Sequence, residues 1–296
     1  MKSRTPGALA ALLASMVSVC VGTSFAKGLF PVAGATGITA LRIGLAALLL
    51  VAIQRPWRWQ ISRVGWHAAA RYGLVLGAMN LSFYQAVAVL PLGVAIAIEF
   101  LGPLVVAIWF SARRSDLLWT VLAALGIAAL VLPGAGGHPI APMGVGFALL
   151  AALFWALYIV TGKQASGVLP EGQVVCLGLC FASLVAVPVG VAHAGTLLLS
   201  PGVLGAGAGV AVLCSAIPYS LEMLALKRLP NQVFGVVMSL EPAVGALAAL
   251  AILGERLGAL QWLGIAAVVA ASCGSALSHR RDEKAIAEPV PPDYVR

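Results

Sequence analysis

Residues 89–107, VLPLGVAIAIEFLGPLVVA, and residues 228–246, RLPNQVFGVVMSLEPAVGA, decide the architecture of this chain. A shift of 139 positions places Leu90-Pro91 on Leu229-Pro230, Val94 on Val233, Pro103 on Pro242, Val105 on Val244 and Ala107 on Ala246. Apolar matches arise readily by chance in so apolar a sequence. Two prolines twelve positions apart, each pair at the same place in an apolar run, do not. The tetrapeptide GIAA at 126–129 and again at 264–267 continues the match with a one-residue slip. The pattern reads as an internal duplication, its halves joined by the Gly/Pro-rich PGAGGHPIAP at 133–142.

The solvent follows from composition. Hydrophobic residues make up 61% of the chain and charged residues 9%, with a mean hydropathy of +1.02, against about 25% charged in a soluble domain. A hydrocarbon core of about 30 Å takes about 20 helical residues. Ten apolar runs follow one another, at 8–27, 36–54, 72–90, 92–111, 117–133, 143–162, 172–191, 202–226, 231–253 and 260–278. They are continuous runs, not the alternating strands of a membrane barrel, and a lipid interior requires every backbone group to be paired within the segment. The expected fold is an all-α polytopic membrane protein of ten transmembrane helices, built as five-helix repeats at 1–137 and 138–279. A charged, Pro-rich tail at 280–296 reads as disordered and cytoplasmic. Because five is odd, the second repeat enters the membrane from the opposite side and the repeats are inverted. Inverted repeats are a common construction of secondary transporters, which bind cargo near the midplane between them.

The net charge of +8 reports topology, not nucleic-acid binding. With the N-terminus in the cytoplasm, the inner segments take Lys2 and Arg4; Arg55, Arg58, Arg63 and Arg71; Arg113 and Arg114; Lys163; Lys227 and Arg228; and Arg280, Arg281, Lys284 and Arg296. Only Lys27, Arg42 and Arg256 of the 18 basic residues fall elsewhere. The positive-inside rule then puts both termini in the cytoplasm. The first span lacks a small-residue cleavage site before a polar mature domain and reads as a retained helix. The five cysteines lie within spans without metal-ligand spacing and read as packing residues.

Polar groups inside the spans are the candidate site, because an ionised side chain at that depth costs roughly 2.5–3.5 kcal/mol unless it is paired, hydrated or protonated. Glu99, eight residues past Pro91, and Glu241, eleven past Pro230, lie about 12 and 16 Å from their respective boundaries. In the repeat alignment Glu99 matches Met238 and Glu241 matches Gly102, so the acids sit one turn apart on equivalent helices. Two readings stand for Glu99: a structural ion pair with Arg42, or a cavity-facing acid. Glu241 has no basic residue at its depth, and Pro242 beside it frees a carbonyl, which favours a functional cavity acid. Glu222 either joins the cavity or snorkels toward the inner surface. Asn80 and Tyr84, at i and i+4, define a wet face on the third span; Ser215, Tyr219 and Glu222 do the same on the eighth. Tyr158, and Ser24 with Lys27, line the cavity or bond between helices. Gly73, Gly77 and GVLGAGAG at 202–209 read as close packing, not a phosphate loop, since no Gly-Lys-Ser/Thr follows them.

With SFAKGLFPVAGATGITALRIGLAALLL (24–50), VLPLGVAIAIEFLGPLVVA, PYSLEMLALKRLP (218–230) and SLEPAVGALAALAILGERL (239–257), the chain resembles the EamA-type branch of the drug/metabolite transporter superfamily. Within that branch it is most similar to the inner-membrane threonine and homoserine exporters, over essentially everything but the tail. The resemblance implies export of threonine, homoserine and analogues across a bacterial inner membrane, with another metabolite or a drug as the alternative cargo. It also implies matching positions at Arg42, Glu241 and Glu255. Glu255 falls in an outer loop and reads as a helix cap or a surface partner of Arg256. A zwitterionic amino acid needs an anion for its ammonium, from Glu99 or Glu241, and a cation for its carboxylate, from Arg42 or Lys27. No ATP-binding motif is present and no cofactor or metal is expected, so protons are the expected coupling ion. The rival classes are a channel and an integral-membrane enzyme. For the enzyme, His67, His138, His193 and His279 lie in loops or at span ends with no His-Glu-x-x-His spacing. A reporter fused after Arg296 or within 58–65 is expected to be cytoplasmic, and one near Gly136 external. A periplasmic signal from the C-terminus overturns both the ten-span count and the inversion.

Overall fold

The computed structural model describes residues 5–109, 115–132, 140–226, 229 and 231–287, and these contain helices and turns but no strand. The helices are α1 (Thr5–Gly28), α2 (Phe30–Gln54), α3 (Arg63–Val89), α4 (Leu92–Glu99), α5 (Leu101–Trp109), α6 (Ser115–Val131), α7 (Pro142–Ser166), α8 (Glu171–Ala194) and α9 (Pro201–Ala211). A π-helical turn (Val212–Ala216) leads into α10 (Ile217–Leu226), followed by α11 (Asn231–Met238), α12 (Glu241–Leu253) and α13 (Ala259–Ala287). Six helical stretches are long and apolar enough to cross a membrane: 6–28, 30–54, 63–89, 142–166, 172–199 and 236–253. The other four segments marked as spans fall on shorter apolar helices at 92–106, 118–131, 201–216 and 259–274. By length and composition, then, six helices among the described residues are able to cross a membrane, against the ten spans expected from the sequence. Helix α13 runs to Ala287, so the first part of the segment read as a disordered tail is helical, and 288–296 lie outside the described residues.

Local chemistry places the boundaries. Pro142 and Pro201 stand in the first turn of α7 and α9, where a missing N–H removes no bond. Ser62 caps α3 by accepting from the Gly65 amide at 3.1 Å. Gly254 ends α12 in the left-handed region, φ 68°, which a side chain would strain.

Small residues let the helices approach. Helix α2 packs broadly on α8, α3 on α7 and α8, and α6 on α13. A Cβ on Gly126 would stand 2.8 Å from the Gly264 carbonyl oxygen, and one on Gly264 would stand 2.6 Å from that of Gly126. The two glycines opening the repeated GIAA thus face each other across the α6–α13 seam. Gly73 and Gly77 seat α3 on Gly178 and Ala182 of α8, as the sequence suggested. The 202–209 stretch behaves otherwise: Gly202, Gly205 and Gly209 have open space beside them, and only Gly207 meets a neighbour, Leu41. Association in lipid rests on such close contact, not on expulsion of water. Gly126→Ala and Gly264→Ala are therefore expected to cost about 1–3 kcal/mol by overpacking. Gly205→Ala should be neutral or stabilising by about 0.5–1 kcal/mol through helix propensity. Thermal melting of the detergent-solubilised protein checks the ordering, and equal melting temperatures for all three variants would remove the seam argument.

Candidate functional site

Two helices in the middle of the fold are discontinuous. Helix α4 ends at Glu99, Phe100 forms the turn, and α5 begins at Leu101; α11 ends at Met238, Ser239 and Leu240 form the turn, and α12 begins at Glu241. Proline chemistry locates both breaks. Pro103 cannot donate to the carbonyl four residues back, that of Glu99, and Pro242 cannot donate to that of Met238. Glu99 and Met238 are the residues that the 139-position shift superposes. The two acids consequently occupy opposite kinds of helix end. Glu99 is the last residue of α4 and buried, 7% exposed, where the helix dipole is negative; Glu241 opens α12, where the dipole is positive and favours a carboxylate. Among the described residues, Glu241 Oε2 is buried without a hydrogen-bond partner. Glu99 lies within electrostatic reach of Glu241 and Arg42, and Glu241 within reach of Glu222.

Arg42, buried on α2, is the hub of a second cluster. Its Nη1 donates to Asn80 Oδ1 at 2.9 Å and to the Tyr84 hydroxyl at 3.2 Å, and its Nη2 donates to the Cys214 carbonyl at 3.2 Å. The guanidinium carbon stands 5.3 Å from the Tyr84 ring centroid, a cation–π distance. Asn80 is oriented by its own Nδ2 donating to the Leu76 carbonyl at 2.9 Å. The Cys214 carbonyl is available because Pro218, four residues on, has no N–H. The ladder opens there into the π turn, and Ser18 Oγ takes the neighbouring Leu213 carbonyl at 2.7 Å. π turns inside α-helices are frequent at functional sites.

Helix α1 connects the two clusters. Cys20 Sγ contacts the Glu241 carbonyl at 3.8 Å, Thr23 Oγ1 contacts Cys214 Sγ at 3.8 Å, and Ser15 Oγ bonds to Glu222 Oε1 at 2.9 Å and to the Pro218 carbonyl at 3.2 Å. Glu222 is thus engaged with α1. Tyr158 shares a hydroxyl contact with Tyr72 at 3.1 Å, and Ser24 bonds back to the Cys20 carbonyl on its own helix at 2.9 Å.

Asn80 and Tyr84, paired by spacing, do share one face and do meet Arg42. Tyr219 belongs to α10, but its side chain lies outside the described residues. Lys27 stands apart from the carboxylates of the broken helices: its Nζ lies 2.5 Å from Glu255 Oε1 and donates to the Leu90 carbonyl at 2.6 Å. Glu255, expected beside Arg256, takes Lys27 as its ion-pair partner instead. Sequence reasoning missed Ser15, Cys20 and the Cys214 carbonyl. For the carbonyl a signal was present, the proline at 218.

With this geometry in place, comparison with known proteins identifies the class. The model of the EamA-like transporter family matches residues 142–277. The threonine/homoserine exporter RhtA of Salmonella typhimurium (strain LT2) is 44% identical over 271 residues, covering 92% of each chain. RhtA of Escherichia coli (strain K12) is 43% identical over 273 residues, again covering 92% of each. A solved crystal structure, 18% identical, superposes with a TM-score of 0.58 over 93% of this chain and 99% of its own, and so shares the fold. These named relatives are exporters, not enzymes. Such identity along nearly the whole chain, joined to helices apolar enough to cross a membrane, means that this protein belongs to the EamA-like transporter family.

Proposed function

We propose that this protein exports threonine, homoserine and related small amino acids across a bacterial inner membrane by proton antiport, with both termini in the cytoplasm and ten helices in two inverted repeats. The observation that carries the reading is the pair of interrupted helices, with the unpartnered Glu241 carboxylate oxygen at the positive end of one of them. Interrupted helices near the midplane are where secondary transporters hold substrate and coupling ion.

The duplication is supported by packing that repeats under exchange of the halves. Helix α3 packs on α7 as α10 packs on α1; α4 and α5 pack on α7 as α11 and α12 pack on α1; α3 packs on α8 as α9 and the π turn pack on α2. The pairs α2–α8 and α6–α13 map onto themselves, as pairs straddling a two-fold axis must. The substrate class is supported by the named exporters at 43–44% identity.

In this mechanism the substrate ammonium and a proton compete for Glu241. Loss of the proton to the cytoplasm exposes a carboxylate that accepts the ammonium. After the site opens outward, a proton from the acidic side displaces the amino acid. Arg42, oriented by Asn80, Tyr84 and the Cys214 carbonyl, supplies positive charge for the substrate carboxylate. Glu99, at the unfavourable end of α4, acts mainly in assembly.

Glu241→Gln mimics the protonated acid. It is expected to fold, to lose the pH dependence of transport and to abolish net export against a gradient. Glu99→Gln should reduce the quantity or stability of the protein more than its response to pH. Proton movement induced by threonine in vesicles, at matched protein levels, separates the two; wild-type coupling in Glu241→Gln together with its loss in Glu99→Gln reverses the assignment. Arg42→Ala strands three buried acceptors, each worth roughly 1–3 kcal/mol, and should abolish transport or assembly, whereas Arg42→Lys should keep part of both. Normal expression and export by Arg42→Ala would eliminate any role for the cluster.

A further inference from the structure

We infer that Lys27 and Glu255 form the latch of a closed outer gate, and that the structure is the inward-open state of the transporter. This rests on the inverted-repeat transporter reading above, but not on the identity of the cargo. The outer face is the one where α1 meets α2, α3 meets α4 and α12 meets α13.

At that face one ion pair joins four segments from both repeats. Lys27, in the last turn of α1, reaches Glu255 in the α12–α13 loop and also donates to the carbonyl of Leu90, the residue that ends α3. The other oxygen of Glu255 accepts the Leu92 amide at 2.8 Å. Leu92 is the first residue of α4, so Glu255 caps that helix from the opposite repeat and places a negative charge at the positive end of its dipole. The two side chains are only 18% and 20% exposed, so the pair is shielded more than a surface ion pair would be. Each of the two charges makes a charge-assisted bond to a backbone group at the α3–α4 corner.

Beneath the latch the outer halves of the broken helices are sealed. Every residue of α4 from Leu92 to Glu99 is buried. A Cβ on Gly93 would stand 2.5 Å from that of Ala246 in α12, and one on Gly245 would collide with Ile96 Cδ1. The inner halves are arranged differently. Helix α5 packs on α6 and α7, and α11 on α13, α1 and α10, but among the described residues α5 and α11 share no packing comparable to that of α4 and α12. A two-fold axis that exchanges the repeats exchanges α4 with α11 and α5 with α12. Equal packing of the outer and inner pairs is what a symmetric occluded state would show. The observed inequality, tight outside and separate inside, is the geometry in which cargo enters from the cytoplasm. The latch makes its bonds only in this state, because opening the outer side carries the α12–α13 loop away from the α3–α4 corner.

The test places one cysteine at the seam, Ile96→Cys, in a chain whose five native cysteines are replaced. A membrane-impermeant maleimide applied from outside intact cells reports opening of the α4–α12 interface and requires no substrate. With the latch intact, labelling should be slow. Lys27→Met and Glu255→Ala should each raise its rate about tenfold, the population shift that follows loss of a charge-assisted contact made in one state only. Lys27→Arg should leave the rate near the parent value. Glu255→Gln, which keeps an acceptor for the Leu92 amide and removes only the charge, gives a milder version of the same test should Glu255→Ala fold poorly. Detergent melting confirms that each labelled variant is folded. Unchanged labelling in folded Lys27→Met and Glu255→Gln overturns the latch, and fast labelling of the parent overturns the inward-open assignment. Counterflow of labelled threonine, measured separately, reads the cargo assignment, so failure of one is distinguishable from failure of the other.

Discussion

Every backbone N–H and carbonyl inside a membrane must find a partner within the protein, and in this chain proline decides where that rule is bent. Pro103, Pro242 and Pro218 each lack the donor that the carbonyl four residues earlier would use. Those carbonyls belong to Glu99, Met238 and Cys214, and at each of them the regular helix gives way to a turn or a π segment. The freed carbonyl of Cys214 becomes an acceptor for Arg42. The other two interruptions create helix ends in the interior, and helix ends carry charge. A few ring closures on the backbone thereby set the electrostatics of the central region.

The sequence conveyed this part because it is local. Apolar run length gave the helices, and the matching register of Pro103 and Pro242 marked the two interruptions. The i, i+4 spacing of Asn80 and Tyr84 gave a face that Arg42 does meet. Proline alone does not determine the outcome, however: Pro188 lies inside α8 and the helix continues past it. What sequence reasoning could not supply were partnerships between distant segments. Lys27 was assigned to the cavity because it is a cation beside a span, yet its partner lies in a loop at the far end of the chain. The glycines at 202–209 looked like a packing face by composition, but composition cannot say which neighbour a face meets, and only Gly207 has one.

The proposed inverted duplication also explains why one sequence device yields two unlike acids. The break falls at the same register in both repeats, but Glu99 lies just before it and Glu241 lies just after the corresponding point. A carboxylate that ends a half-helix stands at the negative end of its dipole, whereas one that begins a half-helix stands at the positive end. Two acids one turn apart in the alignment therefore stand on opposite sides of an electrostatic boundary. The division of roles proposed for the acids thus follows from where each stands relative to a proline-made break, and the ion pair 228 positions apart in sequence, Lys27 with Glu255, ties the ends of α1 and α12 to the α3–α4 corner that leads down to that break.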